Sequence, residues 1–237
     1  MNLINQRKRL ISENLSRVKE KINSTAVGSG RDPQDIILIV ISKTRSADIV
    51  SMAIDCGVRN FGENKIQEAI PKINDLNKRH SDLTWNMVGH LQTNKAKIAV
   101  VNFDMIQSID SIKLARKISG IAQQLQKNID ILIEVNISGE KSKYGINSDD
   151  VEKINGEIAS LPNINVRGLM TIGPLTSDVA IIRNAFRRMR KVFENIRDRK
   201  NNDFNILSMG MTDDYKIAIQ EGSMMIRLGR AIFGPRN

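Results

Sequence analysis

Residues 35–61 read DIILIVISKTRSADIVSMAIDCGVRNF. The six apolar side chains from Ile36 to Ile41 run without a break, as in a buried strand, and then Ser42, Lys43, Thr44 and Arg45 stand where it stops. Helical spacing follows over 46–56, and a second short apolar run over 58–61. A strand, a helix and a second strand within so few residues imply two parallel neighbours, because only a crossover connection joins parallel strands.

The same alternation continues along the chain. Candidate strands fall at 36–41, 58–61, 84–88, 104–109, 130–136, 165–170, 205–209 and 224–228. Helical patterns lie at about 46–56, 63–78, 92–100, 111–127, 149–160, 178–199 and 212–221, after an opening helix with Ile4, Ile11, Leu15, Val18 and Ile22 on one face. Eight such units in 237 residues fit one closed (β/α)8 TIM barrel with an extra N-terminal helix, an α/β fold. No Pro-, Gly- or Ser-rich linker divides the chain, so 1–237 reads as a single domain.

Composition limits the function classes. At 41% hydrophobic residues the chain can bury one large core, and no run approaches the roughly 18 apolar residues of a membrane span. The charged start, MNLINQRKRLISENLSRVKEK, lacks the apolar core of a signal peptide, which predicts a cytoplasmic protein. Cys56 is alone and has the setting of a buried helix end, while His80 and His90 show no metal-site spacing. The net charge of +10 raises nucleic acid as a partner. Much of it lies in RNAFRRMRKVFENIRDRK, 183–200, where Phe186, Met189, Phe193 and Ile196 form an inner stripe between the basic residues. That is the pattern of a solvated surface helix, and no nucleic-acid motif accompanies it.

In a barrel, the ends of the strands line the site. Lys43 ends strand 1, although a lysine merely leaving the core for solvent has the same pattern. Strand 7 ends in SMGMTDDYKIAI, where Ser208, Met209 and Gly210 make a tight loop and Thr212 is expected to cap a helix opening with Asp213 and Asp214. Strand 8 ends in MIRLGRAIFG, with Gly229 supplying a turn. Loops after strands 7 and 8 are a frequent phosphate site in such barrels. Arg227, between Ile226 and Leu228, needs an anionic partner or strong acceptor; a salt bridge to Glu134 would serve as well as a ligand. A lysine, a phosphate loop and a buried arginine together suit a phosphorylated aldehyde held as a Schiff base, and pyridoxal 5′-phosphate fits all three.

The blocks SKTR, FGENKIQEA, WNMVGHLQTNK, QSIDS, VNISGEKSKYG, RGLMTI, LSMGMTDDYKIAI and IRLGRAIFG occur in the order found in the pyridoxal phosphate homeostasis protein family, which the chain resembles over nearly the whole barrel. That family shares the barrel of the N-terminal domain of alanine racemase. The resemblance implies that Lys43 is the Schiff-base lysine, that LSMGMT and RLG are cofactor-binding loops, and that Asn64 and His90 stand at the site mouth. Met170 and Met211 would wall a flat ring. Asn86, Thr212 and Ser46 stand where the family usually has histidine, serine and proline.

The function implied is a pyridoxal phosphate carrier that buffers or delivers the cofactor, possible recipients being client enzymes, in vitamin B6 homeostasis. It is expected to be a monomer with little or no turnover. An arginine at the ring nitrogen would weaken the ring as an electron sink, and the chain ends three residues after Gly234, leaving no room for the second domain that supplies a tyrosine base in alanine racemase. The alternative is a single-domain racemase, or another pyridoxal phosphate enzyme acting on amino acids, with Tyr144 or Tyr215 as second base.

Overall fold

The computed structural model describes residues 3–198 and 203–235. Helix α1 (Leu3–Val27) opens the chain, followed by β1 (Ile37–Ile41), α2 (Ala47–Asp55), β2 (Asn60–Glu63), α3 (Ile66–Asn77), β3 (Thr84–Met87), α4 (Ala96–Asn102) and β4 (Met105–Ile109). The second half runs α5 (Ile112–Gln124), β5 (Ile129–Asn136), β6 (Ile146–Asn147), α6 (Val151–Ala159), β7 (Ile164–Met170), α7 (Val179–Arg197), β8 (Ile206–Ser208), α8 (Tyr215–Gln220), β9 (Met225–Leu228) and α9 (Arg230–Phe233). The strands lie side by side in the order β4-β3-β2-β1-β9-β8-β7-β5, and β4 pairs with β5 to close the ring. Every pairing is parallel, as the alternation predicts. The two-residue β6 joins only the end of β5 and was not foreseen, since so short a strand carries no periodicity.

Side-chain alternation sorts the strands into two faces. Val40, Phe61, Trp85, Ile106, Ile131, Ile133, Leu169, Leu207 and Ile226 pack outward with the helices in one apolar cluster. Ile39, Leu132, Met170 and Met225 are equally buried yet lie outside that cluster, on the alternate face, and fill the barrel interior. Helix α1 lays Ile11, Leu15, Val18, Ile22 and Ala26 against this shell, contacting α8 and α9, whereas Ile4 of the expected stripe is exposed.

Several boundaries differ from the periodicity by a few residues, three of them for local reasons. Val58 donates its N–H to Ala53 O and closes the end of α2, so β2 begins two residues later than expected. The stretch 93–95 forms a 3-10 turn before α4. Helix α8 starts at Tyr215, with Asp214 rather than Thr212 at its N-cap. Helix α7 has the expected buried stripe and is capped by Asp178, whose carboxylate accepts from the N–H groups of Ala180 and Ile181; residues 199 and 200 of the basic segment lie outside the described residues. Cys56 is half-buried at the C-cap of α2. No helix among the described residues is long and apolar enough to cross a membrane.

Candidate functional site

At the C-terminal ends of β1 and β9, neighbours in the ring, a cavity of about 480 Å³ is lined by Ile41, Lys43, Met211, Thr212, Asp213, Arg227, Gly229, Arg230 and Pro235. Five residues singled out from the sequence therefore meet: Lys43, Met211, Thr212, Arg227 and Gly229. Lys43 extends past the last residue of β1 on the same alternate face as Ile39 and Ile41. The chain then turns at Thr44, whose φ of 64° is rare for a residue with a side chain. Arg45 leaves the site, donating to the carbonyls of Gly234 (2.7 Å) and Pro235 (2.8 Å).

Arg227 is 4% exposed and is held from within the protein. Its Nη1 donates to Ser208 Oγ at 2.6 Å and its Nη2 to Thr171 O at 2.8 Å. A guanidinium only donates, so the Ser208 hydroxyl must accept here and donate onward to Gln107 Oε1, 2.8 Å away. Gln107 Nε2 then donates to Asn86 Oδ1 at 2.9 Å, and Asn86 Nδ2 to Phe61 O at 3.2 Å. This relay crosses the barrel interior with a single direction of donation. It accounts for the polar residue at 86 and gives Ser208 an internal partner on either side. Burial lowers the Arg227 pKa to about 10, against the opposing fields of Asp214 and Glu134. The guanidinium thus remains charged at neutral pH. The salt bridge to Glu134 that the sequence allowed is absent: the Arg227 bonds go to a hydroxyl and a carbonyl.

The loop after β8 is tied to its own helix. Asp214 Oδ1 accepts the Met211 N–H at 2.5 Å, and Tyr215 N donates to Met211 O at 2.8 Å. The Asp214 carboxyl titrates higher than usual, because burial outweighs the Met211 N–H and the charge of Arg227. Gly210 has φ 98°, and a Cβ there would stand 2.6 Å from Ala218 Cβ, so the absent side chain makes room for α8. Its carbonyl accepts the Arg227 N–H at 3.0 Å, which joins this loop to β9. Asp213 points an acid toward the same rim, ion-paired with Arg230.

The other expected site residues lie elsewhere. Asn64 and His90 line a separate cavity of about 460 Å³ with Lys65, Gln67, Gln92 and Lys95 among its walls. His90 Nδ1 is 3.0 Å from Asp110 Oδ2, and its ring stacks on Tyr144 with centroids 3.8 Å apart. Met170 is fully buried in the interior. Tyr215 is buried in the apolar core. Neither tyrosine lines the cavity of Lys43. Sequence reasoning missed Gln107 and Thr171, whose polarity in apolar segments was the available signal, and left Glu63 and Glu68 of the FGENKIQEA block, and Lys72 just beyond it, unused.

Residues 33–237 match the family model described as alanine racemase, N-terminal domain. The pyridoxal phosphate homeostasis protein of Escherichia coli K12 is 36% identical over 228 residues, covering 96% of this chain and 97% of that protein. A solved protein from Bifidobacterium adolescentis, described as unknown, superposes with a TM-score of 0.92 at 35% identity over 98% of this chain and 97% of that one. PipY of Synechococcus elongatus PCC7942, solved with PLP bound, gives 0.82 at 32% identity, covering 94% of this chain and all of that one. With near-complete coverage in both directions and the same barrel, the chain belongs to the pyridoxal phosphate homeostasis protein family.

Proposed function

We propose that this protein binds pyridoxal 5′-phosphate covalently and reversibly through Lys43, and buffers or hands on the cofactor without transforming amino acids. The observation that carries this reading is that Lys43 and Arg227 open into one cavity. The PLP-bound relative PipY supports the choice of ligand. When bound, the cofactor supplies an aldehyde that forms a reversible Schiff base with an amine, and a ring that becomes a strong electron sink only when its nitrogen is protonated.

In this reading Lys43 would hold the cofactor through its amine, the group that an aldehyde captures reversibly. Thr212 and the backbone at Met211 and Gly229, next to Gly210, would receive the phosphate, while Arg230 offsets the charge of Asp213 on the same rim. Arg227 has five N–H donors, of which Ser208 and Thr171 take two. The remaining donors would be available to the ring nitrogen. A guanidinium there would not give up its proton, so it would leave that nitrogen unprotonated and turnover low. With Tyr144 on His90 and Tyr215 in the core, no tyrosine stands ready as second base for a racemase.

Borohydride reduction followed by peptide mass spectrometry tests the central step. A phosphopyridoxyl group on Lys43 is expected; reproducible labelling of Lys65 or Lys95 instead overturns it. Incubation with single-enantiomer amino acids tests the second half, and racemisation dependent on Lys43 would restore the enzyme reading.

A further inference from the structure

We propose that Glu63, Glu68 and Lys72 form a clamp that positions Lys43, acting through the peptide groups on either side of it. This rests on the reading that Lys43 holds the cofactor. On the N-terminal side, Ser42 donates its hydroxyl to Glu63 Oε1 at 2.6 Å, its carbonyl accepts from Lys72 Nζ at 2.8 Å, and its N–H donates to Gly62 O at 3.0 Å. On the C-terminal side, the Thr44 N–H donates to Glu68 Oε1. Lys72 joins the two halves, with Nζ 2.6 Å from Glu63 Oε1 and 3.5 Å from Glu68 Oε1. The residues before and after Lys43 are thus anchored to one charge cluster contributed by β2 and α3.

Stability is a poor explanation for this cluster. Glu63 is fully buried and Lys72 is 5% exposed, yet Glu63 Oε2 has no hydrogen-bond partner. Burial raises the Glu63 pKa despite Lys72 beside it, so ionising this carboxyl is opposed by its surroundings. Buried ion pairs are often no better for stability than apolar residues of the same volume. What the cluster does accomplish is geometric. Thr44 is β-branched and sits at φ 64°, a conformation that costs free energy and persists only where its surroundings enforce it. Glu68 captures the N–H of this strained residue. The turn follows Lys43, just past the end of β1, and leads Arg45 away toward Gly234. The spacing of Glu68 and Lys72, one turn apart on α3, puts both on the face that meets this strand end.

Amide hydrogen exchange in the cofactor-free protein tests the clamp independently of binding. The Thr44 N–H should exchange slowly in the native protein and in Glu68→Gln, whose amide oxygen still accepts it, and about tenfold faster in Glu68→Ala. The dissociation constant for pyridoxal phosphate should follow: within about twofold of native for Glu68→Gln, and about tenfold weaker for Glu68→Ala. Thr44→Gly added to Glu68→Ala should restore part of the affinity, because glycine reaches positive φ without enforcement. Lys72→Ala would strand a buried carboxylate, so Glu63→Gln with Lys72→Met removes both charges together; if that pair does not fold, the Glu68 series decides alone. Native affinity in a folded Glu68→Ala, or Thr44 exchange unchanged by it, overturns the clamp. Absence of cofactor label on Lys43 in the native protein would instead remove the functional reading, and the exchange result would still stand.

Discussion

Glu134 gains little from ionising where it sits. Burial raises its pKa to about 7, Asp110 pushes the same way, and Arg227 only partly opposes them. A carboxyl whose pKa is raised in the folded state takes up protons on folding, so stability falls as pH rises from its unfolded value through about 7. The loss is complete above that range, and on the order of 3 kcal/mol at 1.36 kcal/mol per pH unit. Glu134→Gln, which cannot ionise, should therefore raise the melting temperature at pH 8 and change it little at pH 4. An equal effect at both values would show that Glu134 does not titrate in this range. Arg227 permits a sharper test of its role. If it faces the ring nitrogen, Arg227→Ala should alter the absorption spectrum of the bound cofactor while weakening affinity by less than about tenfold, the scale of one lost hydrogen bond. Complete loss of binding by a folded variant would assign the guanidinium to the phosphate. Unchanged spectrum and affinity would make it a structural residue and remove the electronic reason for low turnover.

The loop between β8 and α8 shows what was legible in the sequence and what was not. Unbroken apolar strands and striped helices announced the barrel, because each repeats over enough residues to show its period. Lys43 was legible as a polar residue directly after such a strand. The start of α8 was not: Thr212 is a good N-cap residue in isolation, but Asp214 takes that position while its carboxylate holds the Met211 N–H. Gly210 was singled out for close approach to a phosphate, yet its φ of 98° and the Ala218 that a Cβ would meet depend on how the helix folds back. Gly210→Val should accordingly destabilise the protein by about 1–3 kcal/mol from strain alone, seen as a lower melting temperature even without cofactor. Unchanged stability with impaired binding would return the glycine to a purely phosphate-facing role. Positions around the ring were equally hidden. Asn64 and His90 fall in their own cavity, and the bond from Ser208 to Gln107 joins residues 101 apart, which no local pattern encodes.

For the whole molecule, charge and ligand binding act on different parts of the fold. The basic face of α7 is partly engaged within the protein: Arg183 and Arg187 share the buried Glu221, and Arg190 pairs with Glu194. The pairs with Glu221 hold α7 against the end of α8, and all three explain part of the positive composition without a nucleic acid. The cavity of Lys43 and Arg227 instead joins β1, β9 and the β8–α8 loop, elements far apart in sequence. A ligand bound there stabilises the folded state alone. At a free concentration one hundred times its dissociation constant it should contribute about 2.7 kcal/mol. For a domain of this size that corresponds to a rise of roughly 5–11 °C in melting temperature. Pyridoxal without its phosphate, at the same concentration, should give a far smaller rise, because Thr212 and the backbone around Gly210 and Gly229 would have no anion to hold. Lys43→Ala should reduce the shift with pyridoxal phosphate without abolishing it, since the phosphate contacts remain. Thermal unfolding of native protein and Lys43→Ala with both ligands separates the two contributions. Equal shifts from pyridoxal and its phosphate would show that these loops do not bind the anion, while an unchanged shift in Lys43→Ala would show that the lysine contributes nothing to holding the cofactor.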